Sequence, residues 1–156
     1  MTERSAHHAT FTIERVYPAA PARVFRAFAD PAAKARWFAG PEGWQQMVRE
    51  MDFRVGGRDR LVGRHAGGTV SAFDCRYWDI VPDQRIVYSY DMHLDDRRIS
   101  VSLATLEFHP AETGTRLVVT EQGVFLDGYN DAGAREQGTG WLLQRLGAAL
   151  AGMDAG

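Results

Sequence analysis

The chain has 156 residues and one cysteine, Cys75, so neither an internal disulfide nor a thiolate metal cluster can form. Cys75 lies mid-way along an apolar-alternating stretch and is expected as a small buried side chain in a cytoplasmic protein. No run approaches the roughly 18 apolar residues of a membrane span, and the first residues lack the charged start and apolar stretch of a signal peptide. Membrane insertion and secretion are therefore not expected. Of the 18 basic residues only Lys34 is lysine, and the net charge of −2 gives no electrostatic reason to bind nucleic acid.

Catalytic signatures are also lacking. The histidines His7, His8, His65, His93 and His109 form no HxH or HExxH arrangement, so no metal is expected. The serines of the apolar stretches lack a GlyxSerxGly elbow, and Cys75 has no base at motif spacing. The glycine pairs at 56–57 and 67–68 lack the helix and lysine that phosphate binding requires, so they read as hairpin turns and no cofactor is implied.

What is present is alternation. Residues 10–17 read as a first strand, stopped by Pro18 and Pro21. Val24, Phe25 and Phe28 follow at helical spacing, and Pro31 after Asp30 starts a second short helix through Trp37. Strands are then expected at 44–55, 58–65, 69–81, 85–92, 99–108 and 115–121, joined by short turns. From about Asn130 an amphipathic helix carries Trp141, Leu142, Leu146, Ala149, Leu150 and Met153 as the stripe that should face the sheet. Its glycines each cost roughly 1 kcal/mol against alanine, so it is expected to be irregular until about Gln137. The fold class is α+β: one domain over residues 10–152 between a flexible tail at 1–9 and a second at 153–156.

Five blocks carry a resemblance. They are residues 19–38 ending in AlaArgTrpPhe, AspPheArgValGlyGly (52–57), residues 80–90 opening IleValProAspGln, GlyThrArgLeuValValThrGluGlnGly (114–123) and GlyTrpLeuLeuGlnArgLeu (140–146). In that order, over roughly residues 10–151, they resemble the bacterial branch of the activator of heat shock protein 90 ATPase homologue-like family, in the START/Bet v 1-like (SRPBCC) superfamily. The resemblance implies a helix-grip fold: a seven-stranded curved antiparallel sheet around a long C-terminal helix, enclosing a hydrophobic cavity. Against the family pattern, Cys75 stands where many relatives have glycine and Glu121 where many have histidine. The first would narrow the cavity and the second would change its charge.

Side chains two apart on a strand share a face, so parity nominates the residues that look into the cavity. These are Phe73, Cys75 and Tyr77 on one strand, Tyr88, Tyr90 and Met92 on the next, then Phe108, Val119 and Glu121. Phe53, Phe125 and Trp141 add aromatic surface, while Trp37 and Phe38 are expected to close one end. Aromatic walls with a few polar tips suit a small apolar or aromatic ligand. The reading leans away from catalysis, and its alternatives are a cyclase- or hydrolase-like enzyme in the same cavity, with Glu121 as the candidate catalytic group, or a co-chaperone-like interaction domain. A homodimer and a chaperone partner stay open.

Overall fold

A computed structural model describes residues 4–155, with backbone alone for 153–155. The expected tails fall in part outside these residues, as does the side chain of Met153. The elements run β1 (Ala6–Tyr17), α1 (Pro21–Ala29), α2 (Pro31–Ala35), β2 (Gln45–Met51), β3 (Arg58–Arg64), β4 (Val70–Val81), β5 (Arg85–Leu94), β6 (Arg97–Ala111), β7 (Gly114–Leu126) and α3 (Ala132–Ala155). The seven strands form one curved antiparallel sheet in the order β1-β7-β6-β5-β4-β3-β2, so the first strand closes against the last. With α3 laid across this sheet the architecture is the α+β helix-grip arrangement. No helix among the described residues is long and apolar enough to cross a membrane.

Local chemistry sets the boundaries. Pro21 and Pro31 occupy first-turn positions, where the missing N–H costs no hydrogen bond, and the extended Asp30 between them closes α1 by donating its N–H to the Arg26 carbonyl. Residues 6–9, read from the sequence as tail, pair with residues 123–126 because β7 runs on to Leu126. At the turn into β7, Gly114 (φ 148°) runs so close to the backbone of Tyr17 and Ala19 that a Cβ would overlap it. Thr115 Oγ1 donates to the Ala19 carbonyl at 2.6 Å beside it, fixing where the chain leaves β1 for α1.

The core lies between the sheet's inner face and the helices. Val24, Phe25 and Phe28 of α1 are buried in it, and Phe25 and Phe28 meet Phe108 of β6 with ring centroids 5.4 Å and 5.6 Å from its own. Each such buried aromatic or aliphatic side chain contributes on the order of 1.5–3 kcal/mol. Two expectations for α3 are corrected. It is regular from Ala132, because Asp131 caps it by accepting the Ala134 N–H at 3.2 Å, which offsets the glycine cost. Its buried stripe is Leu143, Leu146 and Leu150, while Trp141 is 40% exposed and lies under the Arg145 guanidinium at 4.8 Å.

Candidate functional site

The downstream half of α3 is leucine-anchored, whereas its upstream half turns Ala134, Gly138 and Thr139 toward the sheet. Small side chains there leave a cavity of about 400 Å³ between α3 and the inner faces of β3 to β7. The segment after α2, with Trp37, Phe38 and Trp44, closes one end. Trp44 lies in a notch between Gly40 and Gly63, where a Cβ at either position would overlap its indole. Arg145 holds this segment by donating to the Gly40 carbonyl at 3.2 Å.

Alternate residues of β4 and β5 build an aromatic wall. Phe73 lies 5.1 Å from Phe38 and 4.9 Å from Tyr90, and Tyr88 lies 5.9 Å from Tyr90. The strands opposite are small: Tyr90 pairs with Ser102 and Tyr88 with Ala104, and these in turn pair with Gly123 and Glu121 of β7. That run of small residues gives the phenols room to lean over β6 toward Glu121.

Glu121 is 4% exposed. Its Oε1 accepts the Tyr90 hydroxyl and its Oε2 accepts a long 3.4 Å bond from Thr139. Arg135 of α3 completes the group by donating Nη1 to Tyr90 Oη at 3.3 Å and Nη2 to Ser100 Oγ at 2.8 Å. Burial pushes the Glu121 carboxyl up from its ordinary range, opposed by the Tyr90 bond, the Arg135 charge and Thr139. Burial and then the Glu121 charge hold the Tyr88 and Tyr90 phenols well above theirs. The Tyr88 hydroxyl has no hydrogen-bond partner among the described residues, although its ring lines the cavity.

The raised Glu121 pKa fixes the sign of a pH effect. Unfolded chains release this proton near pH 4.3, whereas the folded protein keeps it to higher pH, so its stabilising share is complete at low pH and lost as pH rises through the raised value. Glu121→Gln should therefore gain stability relative to the parent between pH 4 and pH 7. Urea unfolding at the two pH values measures it, and a difference that stays constant or runs the other way would refute the assignment.

A second buried polar group lies beside the cavity. Lys34, at 6% exposure, pairs with Asp59, at 4%, and Tyr77 donates to the same carboxylate at 2.9 Å. The Lys34 ammonium sits 4.6 Å from the centre of the Phe38 ring. Burial pushes the neighbouring Cys75 thiol up to about 12, with Lys34 lowering it and Asp59 raising it, which leaves the thiol protonated and poorly nucleophilic. No group of three or more His, Cys, Asp or Glu side chains converges among the described residues.

Of the side chains nominated from sequence, Trp37, Phe38, Phe73, Tyr88, Tyr90, Met92, Val119, Glu121 and Trp141 line the cavity. Five do not. Phe53 packs on Phe25 and Tyr77, and Phe108 on Phe25 and Phe28, at the helix-pair end of the core. Cys75 and Tyr77 belong to the Lys34–Asp59 side. Phe125 stacks on Tyr129 at 6.4 Å and under Arg135 at 5.1 Å, behind the polar end. Sequence reading missed Arg135, Thr139, Trp44 and the Lys34–Asp59 pair. The signal for Arg135 was in the chain: the AsnAsp pair at 130–131 starts a helix whose first turn must cross the end of β7.

Comparison with known proteins completes the picture. Residues 18–151 match the family described as Activator of Hsp90 ATPase homolog 1-like protein. The fold is similar to that of an uncharacterized protein from Rhizobium leguminosarum, with 49% identity, 96% of this chain and 99% of that one covered, and a TM-score of 0.92. A protein from Rhizobium loti is 48% identical, with 93% and 99% of the chains covered and a TM-score of 0.86. An AHSA1-like protein from Aeromonas hydrophila, 18% identical over 94% of both chains with a TM-score of 0.70, shares the fold alone. No functionally curated protein matches. The chain belongs to the Activator of Hsp90 ATPase homolog 1-like protein family.

Proposed function

We propose that this protein binds a small, largely apolar or aromatic molecule between its sheet and α3. One observation carries the reading: a space of about 400 Å³ walled by Phe38, Phe73, Tyr88, Tyr90, Met92 and Val119, where a close-packed core would leave none. That volume lies at the small end of ligand pockets, suiting a single-ring or short-chain molecule better than a two-chain lipid. The fold, which commonly takes hydrophobic ligands, supports the same reading. The buried thiol of Cys75 suits a reducing, cytoplasmic setting.

The test is native mass spectrometry of the protein purified from its own host, followed by titration with an apolar fluorescent probe. A retained mass released on denaturation, or saturable probe binding at one site that the released molecule displaces, is the expected result. A bare chain that also ignores the probe would overturn the reading. One observation favours a second reading, proton-transfer catalysis: Glu121 is a buried carboxyl with a raised pKa in contact with both a phenol and the cavity. Conversion of the retained molecule by the parent but not by Glu121→Gln would favour that reading.

A further inference from the structure

Two polar groups of the cavity wall, Glu121 and Tyr88, have hydrogen-bonding capacity to spare. Glu121 Oε1 is engaged by Tyr90, but Oε2 has only the 3.4 Å contact from Thr139. Tyr88, two residues from Tyr90 in the same wall, presents a hydroxyl with no hydrogen-bond partner among the described residues. A carboxylate oxygen with spare acceptor capacity and a phenol with a free proton thus share one end of an otherwise apolar space.

Charge narrows what fits there. Glu121 and Arg135 are joined through Tyr90 Oη, so a carboxylate and a guanidinium already compensate each other. Besides the tyrosines, the other ionisable groups of the lining are His65, bonded to Ser71 at 2.9 Å, and Asp131, engaged at the N-terminus of α3. A charged head group at this end would leave an uncompensated charge in a low-dielectric site, which is costly. A neutral group that both donates and accepts costs nothing of the kind.

We infer that the ligand is an apolar body ending in one neutral hydroxyl, alcohol or phenol, which donates to Glu121 Oε2 and accepts from the Tyr88 hydroxyl. This rests on the cavity-binding reading and specifies its ligand class. An ether in the same pose can accept from Tyr88 but cannot donate to Glu121, and a plain hydrocarbon can do neither.

Calorimetric titration with 4-hexylphenol, 4-hexylanisole and hexylbenzene separates the two levels of the claim. The phenol should bind about tenfold more tightly than the anisole, the equivalent of one well-made hydrogen bond. Glu121→Met should abolish that preference. Tyr88→Phe, which removes a hydroxyl with no partner among the described residues and so leaves the fold unharmed, should weaken the phenol several-fold and leave hexylbenzene within about twofold. Equal affinities for phenol and anisole in the parent protein, with both bound, would overturn the hydroxyl inference and leave the cavity reading standing. No binding of any of the three would overturn both.

Discussion

Asp59→Ala is expected to lower the unfolding free energy by about 3–5 kcal/mol, because it strands a buried ammonium. Lys34 and Asp59 are both almost wholly removed from solvent, and the carboxylate also accepts the Tyr77 hydroxyl. Truncation at 59 leaves the Lys34 ammonium facing the Phe38, Phe73 and Tyr77 rings with no anion. Cation–π attraction of about 2 kcal/mol at best does not make up the loss. In a chain of this size the midpoint of thermal unfolding should fall by roughly 10 °C or more. The paired change Lys34→Met with Asp59→Leu should recover most of it, since both charges then leave together. Urea unfolding of the single and paired variants measures both effects. A loss under about 1 kcal/mol for Asp59→Ala would mean that water replaces the carboxylate and that the pair is not buried in solution.

That pair also marks the limit of sequence reading. Strand parity is a local property, so the inward direction of Tyr88, Tyr90 and Glu121 was legible from alternation alone. Depth along a strand is not local. Phe108 and Val119 share the inner face, yet the first ends under α1 and the second in the cavity wall, a difference set by where the helices cross the sheet. Lysine in a short helix ordinarily reads as solvated, and nothing near Lys34 in the chain announces Asp59, whose partnership with it is made by the closure of α2 over β3. Trp141 differs again: it reaches the cavity lining but not the buried stripe, because it lies two residues before Leu143 and turns away from the leucines.

Such placement matters for the cavity because polar and apolar parts depend on different elements. The phenols and Glu121 are strand-borne and fixed by register, whereas Arg135 and Thr139 reach them only if α3 is seated. Seating of α3 is thus the step on which both the space and its polar end depend.

Leu146→Ala is expected to cost about 2–5 kcal/mol, the range for truncating a fully buried leucine, and to loosen α3 before the sheet. Leu146 is wholly buried between Leu143 and Leu150, and in the cavity-facing half Ala134, Gly138 and Thr139 offer little apolar surface to compensate. Besides Leu143 and Leu150, the helix is held there by Tyr17 Oη donating to the Leu143 carbonyl at 2.7 Å and Arg23 to that of Leu150 at 2.8 Å. Net contributions of about 1 kcal/mol from each such bond are too small to replace the lost packing. Chemical unfolding gives the total, and amide hydrogen exchange gives its distribution. Protection should fall along α3 by more than in the β4–β5 ladder, whose hydrogen bonds need no helix. Thr139→Ala, at the cavity-facing half, should cost under about 1 kcal/mol and leave exchange in α3 nearly unchanged. If the two substitutions proved equally mild, the helix would be held by its upstream half, and an open space of ligand size beneath that half would be untenable.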